Sequence, residues 1–160
     1  MTKAQFISYV ERSQEPLRRF LVALCCGNTF MADDIAQDTY LKAYLACDGF
    51  REDSKFSSWI HRIAYNNFLN YRRSQRIFAG IDEADSISAI EKTDGNFKYQ
   101  ALFMAMDKMP PKERSVILLY YMEGYSSKEI AEITRLSADA VRQMLSRGRR
   151  HLKDLLSSER

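Results

Sequence analysis

The chain has 160 residues and a mass of 18.6 kDa, enough for one ordinary domain or two lobes of roughly 70 residues each. Hydrophobic residues make up 46% and charged residues 28%, which argues against a wholly disordered chain. Only six Gly and three Pro are present. Because β-rich folds need many turn residues, this composition favours an all-α protein over a sandwich or a doubly wound α/β domain.

The cysteine content and the hydropathy pattern indicate a cytoplasmic protein. Three cysteines cannot all pair, and none of them has the spacing of a zinc site, so we expect buried thiols in a reducing compartment. The longest uncharged run, Phe20 to Ala32, has 13 residues, whereas a membrane span needs about 20 apolar ones. With no signal-peptide layout before it, we expect a soluble chain that is not exported and does not insert into a membrane.

Charge is distributed unevenly along the chain. Residues 51–76 contain six basic and two acidic residues, and residues 135–153 contain six basic residues and one acidic residue. Between them, residues 77–98 contain five acidic and two basic residues and lack a strong hydrophobic period. Since a loop of ~20 residues is uncommon inside a compact domain, we predict a flexible acidic linker at 77–98 between helical domains at 1–76 and 99–160. Two basic patches suggest two contacts with a polyanion, although each alone also fits a solvated helix face.

The first two predicted helices carry an apolar stripe and an acidic face. Periodicity predicts a helix from Phe6 to Ala23, with a break or kink near Pro16. Asp33 and Asp34 are expected to open the second helix, since acidic residues suit a helix N-terminus. Its predicted inward stripe comprises Ile35, Thr39, Ala43 and Ala46, widened by Leu41, Tyr44 and Leu45. A different face of the same helix presents Asp34, Gln37, Asp38 and Lys42.

A third helix is predicted from Trp59 to Arg73. Its inward face comprises Ile60, Ile63, Ala64, Phe68 and Tyr71, and its exposed stripe comprises Arg62, Asn66, Asn70 and Arg73. The aromatic residues Phe56, Trp59 and Tyr65 accompany this stripe. Basic and aromatic side chains together are typical of proteins that bind single-stranded nucleic acid by neutralising phosphates and stacking bases. The alternative is that the aromatic residues belong to the core; for Phe56, predicted in a polar loop at 51–58, both readings stay open.

The second lobe is predicted to hold four helices and a helix-turn-helix. The first two span Tyr99–Met109 and Lys112–Glu123, with Pro111 at the N-terminus and Gly124 at the C-terminus of the latter. Val116, Ile117, Leu119 and Tyr120 are expected to face inward. Ser126 and Glu129 form a capping box for a short helix, Ser127 to Ile133. After a turn at 134–136, Ser137 caps a final helix that runs to Leu156.

The outer face of the final helix has the residue types that contact duplex DNA. Its inward residues are expected to be Val141, Met144, Leu145, Gly148, Leu152 and Leu155. Its outward residues are expected to be Asp139, Arg142, Gln143, Ser146, Arg149 and Arg150, with Arg147 at the flank. Because Arg reads guanine, Gln reads adenine, and Ser and Arg bind phosphate, this pattern indicates a DNA-binding helix-turn-helix. The alternative is an ordinary helical hairpin with a charged face.

At this level of detail the sequence resembles a known family, the extracytoplasmic-function (ECF) sigma factors. Residues 32–44 are similar to the family's segment that binds core RNA polymerase. Residues 50–60 resemble the loop that receives a flipped promoter base, and residues 62–67 resemble the start of the helix that lines the melted strand. Residues 109–114 and 124–133 resemble the entry to the second domain and its helix-turn-helix. Five such blocks occur in the family's order at about its spacing, and the resemblance extends over nearly the whole chain.

The resemblance implies a role for each of these segments. Binding to the clamp of core RNA polymerase would use Asp34, Gln37, Asp38, Tyr40 and Lys42. Contacts with the melted −10 strand would use Ser54, Lys55, Phe56, Trp59, Arg62, Asn66, Asn70 and Arg73. The helix-turn-helix, about Ser127 to Ser146, would read the −35 element with Ser137, Ala138, Asp139, Arg142, Gln143, Ser146, Arg149 and Arg150. The second lobe would also touch the polymerase flap, and the acidic linker would follow the RNA path.

The resemblance also implies an anti-sigma protein as a partner, and no catalytic site, cofactor, metal or small-molecule substrate. Two departures from the family pattern are Arg135, where Gly is frequent in the turn, and Asp38, where Glu is commoner. The competing interpretations are a stand-alone helix-turn-helix regulator and a small helical enzyme. The enzyme interpretation is weak because His61 and His151 have no catalytic motif beside them.

Overall fold

The structure is a computed structural model that describes residues 1–51, 55–79 and 100–157. These residues form α-helices, one short 3-10 turn at Cys47–Gly49 and connecting loops, with no strand among them, which confirms the all-α prediction. In chain order the helices are α1 (Lys3–Leu24), α2 (Thr29–Ala46), α3 (Phe56–Ala79), α4 (Gln100–Asp107), α5 (Pro111–Tyr121), α6 (Ser127–Thr134) and α7 (Ala138–Ser157). We call α1–α3 the first lobe and α4–α7 the second lobe.

Helix α1 is continuous, so of the predicted break or kink at Pro16 the break does not occur. A capping box between Thr2 and Gln5 starts the helix, and Pro16 lies inside it without ending it. Proline removes one backbone hydrogen bond from a helix. The residues after it in α1 offset that loss by burial, since four of its large apolar side chains are completely buried: Leu17, Phe20, Leu21 and Leu24.

Helix α2 begins earlier than predicted, at Thr29, because the Asn28 side chain accepts a hydrogen bond from the Met31 backbone N–H and caps the helix. Its buried side carries Ile35, Thr39 and Ala43, as predicted. The prediction that Leu41, Tyr44 and Leu45 widen this buried stripe was wrong. Leu41, Tyr44 and Leu45 are exposed by 58%, 40% and 71%, and Ala46 is also exposed.

Helix α3 is longer than predicted at both ends. It starts at Phe56 instead of Trp59 and continues to Ala79 instead of Arg73. The predicted core residues Ile60, Ala64 and Phe68 are fully buried. The first three residues of the predicted linker therefore belong to α3, and the rest of it, residues 80–98, lies outside the described part of the chain.

The second lobe has four helices with the predicted terminal signals. Pro111 is at the first position of α5, and Gly124 after that helix has a positive φ of 76°. The Ser126–Glu129 capping box starts α6, and the Ser137 hydroxyl accepts from the Ala140 N–H at the start of α7. The predicted inward residues of α5 are buried except Tyr120, which is 39% exposed. The connection between α6 and α7 turns at Arg135.

Arg135 adopts the left-handed conformation, with φ 61° and ψ 21°. Residues other than glycine are strained in this region because Cβ approaches the following carbonyl oxygen. Arg135, which replaces the glycine frequent in the family, therefore occupies the left-handed position of the turn, which glycine adopts without strain.

The two lobes are packed against each other in this structure. The guanidinium of Arg114 is 1% exposed and donates from Nη1 to the Leu24 carbonyl at 2.9 Å, which joins α5 to the C-terminal end of α1. Near the start of α3, Ser57 and His61 meet Tyr125 in the loop before α6.

Candidate functional site

The exposed side of α2 combines acidic and apolar side chains. Asp34, Gln37 and Asp38 are exposed on one face, opposite the buried residues of the helix. The same face carries Leu41 and Leu45 one and two turns further on, and Phe30, 77% exposed, one turn before. We call these six residues the acidic face. Such a mixture is typical of a protein-binding surface with an apolar centre and charged surroundings.

Of the other two residues assigned to polymerase binding, Tyr40 is less accessible and Lys42 already forms a hydrogen bond. Tyr40 is half-buried, and burial raises the pKa of its hydroxyl. Lys42 donates from Nζ to Oδ1 of Asn67 at 2.6 Å. The structure therefore brings together the acidic residues and glutamine of the predicted set and separates Tyr40 from them.

Asn67 joins α2 to α3 and was missed in the sequence. It is 6% exposed, and its Nδ2 donates to Thr39 Oγ1 at 3.1 Å while its Oδ1 accepts from Lys42. The Thr39 hydroxyl in turn donates to the Ile35 carbonyl at 2.7 Å. A buried amide with both ends occupied fixes the relative position of the helices that it joins.

The exposed side of α3 presents the predicted basic and amide stripe. Asn66, Asn70 and Arg73 are exposed, Arg62 is partly exposed, and their spacing places all four on one face, which we call the basic face. Tyr65, which the sequence placed beside the stripe, is 2% exposed. Lys55 is exposed and lies 3.4 Å from Glu129 of α6. Ser54 falls outside the described residues.

Phe56 is part of the core, contrary to the expectation of an exposed ring in a polar loop. It is 7% exposed and is the first residue of α3. Its ring stacks on Tyr9 with centroids 4.9 Å apart, and Phe6, Phe50 and Trp59 contact it at 5.7 to 6.0 Å. The other interpretation of Phe56, as a core residue that fills the space below the start of α3, is therefore the better description.

Trp59 lies at the edge of the same aromatic cluster. It is only partly buried, and its ring contacts Phe50 at 4.9 Å. Since one turn separates it from Arg62, this indole remains next to the basic face. Of the three aromatic residues predicted beside the stripe, Trp59 is thus the one with an exposed surface.

Helix α7 presents the predicted outward residues to solvent. Ser137 is exposed and Ala138 is partly buried. Arg142 forms an ion pair with Asp139, three residues before it. Arg149 donates from Nη1 to the Tyr121 hydroxyl of α5 at 2.8 Å. The remaining outward residues of the predicted set are also exposed: Gln143, Ser146 and Arg150.

A close contact between α7 and α5 sets the position of α7. Gly148 is buried, and a Cβ built there would lie 2.7 Å from Ile117 Cγ1. The buried carboxylate of Glu113 accepts from His151 Nδ1 at 2.6 Å and lies 3.6 Å from Arg147 Nε. Gly148 was predicted to face inward, but Glu113 was missed because a charged residue in the first turn of a helix is usually exposed.

In the ranges that the structure describes, no helix is long and apolar enough to cross a membrane. Likewise, no group of three or more His, Cys, Asp and Glu side chains in those ranges could hold a metal ion. Cys25 and Cys26 are buried next to each other, and burial raises their thiol pKa values to about 12 and about 11.

Two family models match the chain in the order of its lobes. The model described as sigma-70 region 2 matches residues 9–77, and the model described as sigma-70, region 4 matches residues 99–152. The first match contains the acidic and basic faces, and the second contains the helix-turn-helix.

Curated relatives are sigma factors. The chain is 29% identical over 151 residues to the ECF RNA polymerase sigma factor SigW of Bacillus subtilis, covering 81% of this chain and 78% of that protein. It is 31% identical over 131 residues to the ECF RNA polymerase sigma-E factor of Escherichia coli, covering 72% of this chain and 69% of that protein.

Two solved structures have the same fold. The sigma factor RpoE of Bartonella quintana, in complex with the anti-sigma factor NepR, aligns with a TM-score of 0.79 and 24% identity over 98% of this chain and 99% of that one. CnrH, in complex with the cytosolic domain of CnrY, aligns with a TM-score of 0.76 and 25% identity over 99% of this chain and 92% of that one.

Proposed function

We propose that three surfaces of this chain have separate roles in transcription initiation. The chain belongs to the sigma-70 family as an ECF sigma factor and directs transcription initiation. In this proposal the acidic face of α2 binds core RNA polymerase. The basic face of α3 holds the melted −10 strand, and α7 reads the −35 duplex. The observation that carries the proposal is that all three surfaces are exposed and lie in the family regions expected to use them.

The acidic face fits a basic surface on the polymerase clamp. Asp34 and Asp38 lie one turn apart and point to solvent, next to the exposed Leu41 and Leu45. Carboxylates would select the partner and speed the encounter, whereas the leucines would supply most of the buried apolar area. We assign no direct polymerase contact to Lys42, since its ammonium is bonded to Asn67.

The basic face fits a single strand. Arg62 and Arg73 would neutralise phosphates, and Asn66 and Asn70 would bond base or sugar edges. Trp59 takes the stacking role that the resemblance suggested for Phe56, because its ring is partly exposed and adjoins Arg62. Stacking of one base on an aromatic ring contributes about 1–3 kcal/mol.

The recognition helix fits a major groove. Arg142 and Gln143 lie in the N-terminal half of α7, which is the part of a recognition helix that reaches base edges. Arg149 and Arg150 lie further along and would contact phosphates. The Tyr121 hydroxyl, bonded to Arg149, would hold that guanidinium in place for such a contact.

Further partners follow from the family membership. The second lobe would touch the polymerase flap, and an anti-sigma protein would hold the chain inactive, by analogy with the complexes of RpoE with NepR and of CnrH with the cytosolic domain of CnrY. This function takes place where core polymerase and promoter DNA are, which is the cytoplasm. It needs no catalytic residue, cofactor or small-molecule substrate of its own, so we infer that the chain is not an enzyme.

A pull-down with purified core RNA polymerase tests the proposal. The Asp38→Arg variant would replace attraction with like-charge repulsion, which costs roughly 2–3 kcal/mol and weakens binding about 30- to 150-fold. Glu11→Arg, the same charge reversal on an exposed position of α1, is the matched control and should bind normally. If the chain bound −35 duplex but no core polymerase, the stand-alone regulator would be the better assignment.

A further inference from the structure

The turn between α6 and α7 holds a basic residue that has no place among the DNA contacts assigned so far. Arg135 follows the last residue of α6 and lies two residues before Ser137, which caps α7. Its side chain is exposed, and its backbone is left-handed, with φ 61°. Among the residues that the structure describes, Cys26 is the other non-glycine residue with a positive φ, and its side chain is buried. Arg135 thus combines an unfavourable backbone conformation with a charge in water.

No contact within the described part of the chain explains why this residue is an arginine. Glycine adopts a left-handed backbone without strain, and asparagine adopts it more readily than residues with long side chains. The Arg135 guanidinium forms no hydrogen bond or ion pair with a described residue, although Glu132 is exposed three residues before it. A strained residue without a partner in its own chain is best explained by a contact with another molecule.

Two of the α7 arginines assigned to DNA already have partners within the chain. Arg142 pairs with Asp139, and Arg149 donates to the Tyr121 hydroxyl at 2.8 Å. These partners compete with a phosphate for the guanidinium or restrict where it can point. Arg135 has no such competitor among the described residues, so its full charge is available to a phosphate within reach.

The position of the turn in a helix-turn-helix gives that charge a target. When such a motif binds DNA, its second helix enters the major groove and its first helix crosses the sugar–phosphate backbone. The turn that joins them therefore lies at the edge of the groove. The Cα atom of Arg135 is at most about 11 Å from that of Ala138, the first residue of α7, because three trans peptide units separate them. A guanidinium at this place is close to the phosphates that border the bases facing α7.

We propose that Arg135 binds a backbone phosphate at the edge of the −35 major groove, and that the turn retains its left-handed strain because of this contact. This role rests on the proposed function, since it requires α7 to enter the −35 groove. It adds to the DNA surface a residue that neither the periodicity nor the family resemblance assigned to it. A contact with phosphate positions the protein without reading bases, so Arg135 should serve all −35 sequences alike.

Binding of holoenzyme to promoter DNA at several salt concentrations tests this contact. The holoenzyme is assembled from core RNA polymerase and the full-length chain, and the DNA carries both promoter elements. Arg135→Gly and Arg135→Asn both remove the charge and both suit a left-handed backbone. We expect each to weaken binding about tenfold, as for the loss of a hydrogen bond to a charged group. The slope of log K against log salt should become shallower by about one, equally for promoters with different −35 sequences.

Two further variants show whether the charge at the turn is responsible. Arg135→Lys keeps a cation there and should keep the salt slope and most of the affinity. Lys112→Gln removes an exposed cation from the first turn of α5, next to Glu113, which bonds His151 in the C-terminal half of α7. This control should bind DNA with the wild-type affinity and slope. Thermal unfolding excludes a folding defect, because Arg135→Gly should weaken DNA binding without lowering the Tm.

A promoter fragment that lacks the −35 duplex separates this proposal from the proposed function. Wild-type holoenzyme should bind this fragment more weakly, and the Arg135 variants should bind it as the wild type does. If binding depended on the −35 duplex but Arg135→Gly and Arg135→Asn left affinity and salt slope unchanged, the phosphate contact would be excluded and the role of α7 would stand. If the wild type bound both fragments equally well, the role of α7 would fail, and the Arg135 contact with it.

Discussion

Gly148 lies where α7 crosses α5, and replacing it with alanine should separate the two helices. A Cβ at this position would be 2.7 and 2.8 Å from the Cγ1 and Cδ1 atoms of Ile117 and 3.3 Å from Cγ of Glu113. Carbon atoms in good contact are about 3.5–4.0 Å apart, so the overlap with Ile117 is about 0.8 Å. Both neighbours are buried, so their side chains have little free space into which they could move away from the new methyl group.

The magnitude follows from two opposing effects. Forcing an extra methyl group into a packed core costs typically ~1–3 kcal/mol, whereas alanine is favoured over glycine inside a helix by roughly 0.5–1 kcal/mol. We therefore expect Gly148→Ala to lower the free energy of unfolding by about 1–2 kcal/mol. In a chain of this size that corresponds to a fall in Tm of about 2–8 °C.

Thermal unfolding followed by circular dichroism provides the measurement, and two further variants make it specific. Gly49→Ala is the matched control, because a Cβ there meets nothing within 4 Å. Combining Gly148→Ala with Ile117→Ala should cost less than the sum of the single changes by about 1 kcal/mol, since the new methyl group fills space that the isoleucine left. A neutral or stabilising Gly148→Ala, or strict additivity with Ile117→Ala, would refute the close contact.

Three other predictions concern the core and the DNA surfaces. Phe56→Ala should lower stability by about 3–5 kcal/mol as a large-to-small core change; an unchanged Tm together with reduced permanganate reactivity of −10 thymines would restore the stacking role instead. Arg142→Ala should relax base preference at one −35 position by roughly 1–3 kcal/mol, whereas Arg150→Ala should weaken all promoters about equally, and equal losses for both in a promoter-variant binding series would remove the base-reading role of Arg142. Arg135→Gly should raise the Tm slightly, because it relieves left-handed strain of about 1–2 kcal/mol at some cost in unfolded-state entropy; a lower Tm would show that the turn carries no such strain.

Local signals in the sequence were sufficient for most of the fold. The Ser126–Glu129 capping box, Pro111 and Gly124 each act within a few residues of chain, and each has the predicted role. The outward face of α7 was also predicted correctly, because its charged residues alternate with a clear apolar stripe over five turns.

The errors occur where packing partners, not local pattern, decide exposure. On α2 the buried side uses Thr39 and Ala43, which lets α3 approach closely, and the larger Leu41 and Leu45 stay outside. By size and hydrophobicity alone, the leucines would belong to the core. Phe56 was misjudged for the related reason that its aromatic neighbours come from distant parts of the chain, including Phe6.

The contacts between the lobes could not be predicted from the sequence. Arg114 and Leu24 are 90 residues apart, and Tyr125 and His61 are 64 residues apart. Without covariation or a known arrangement of the lobes, nothing in the sequence of either segment identifies the segment that it contacts. A buried arginine among backbone carbonyls has no sequence pattern that distinguishes it from an exposed one.

The Lys42–Asn67–Thr39 connection has a thermodynamic consequence for how the first lobe works. Since it ties α2 to α3 through buried hydrogen bonds, the acidic and basic faces move as one preorganised body. If α2 docks on polymerase as proposed, this connection would fix the position of α3 relative to polymerase with little further loss of conformational entropy. A promoter strand held by polymerase would then meet the basic face at a high effective concentration. In that proposal Asn67 couples two interfaces without belonging to either of them.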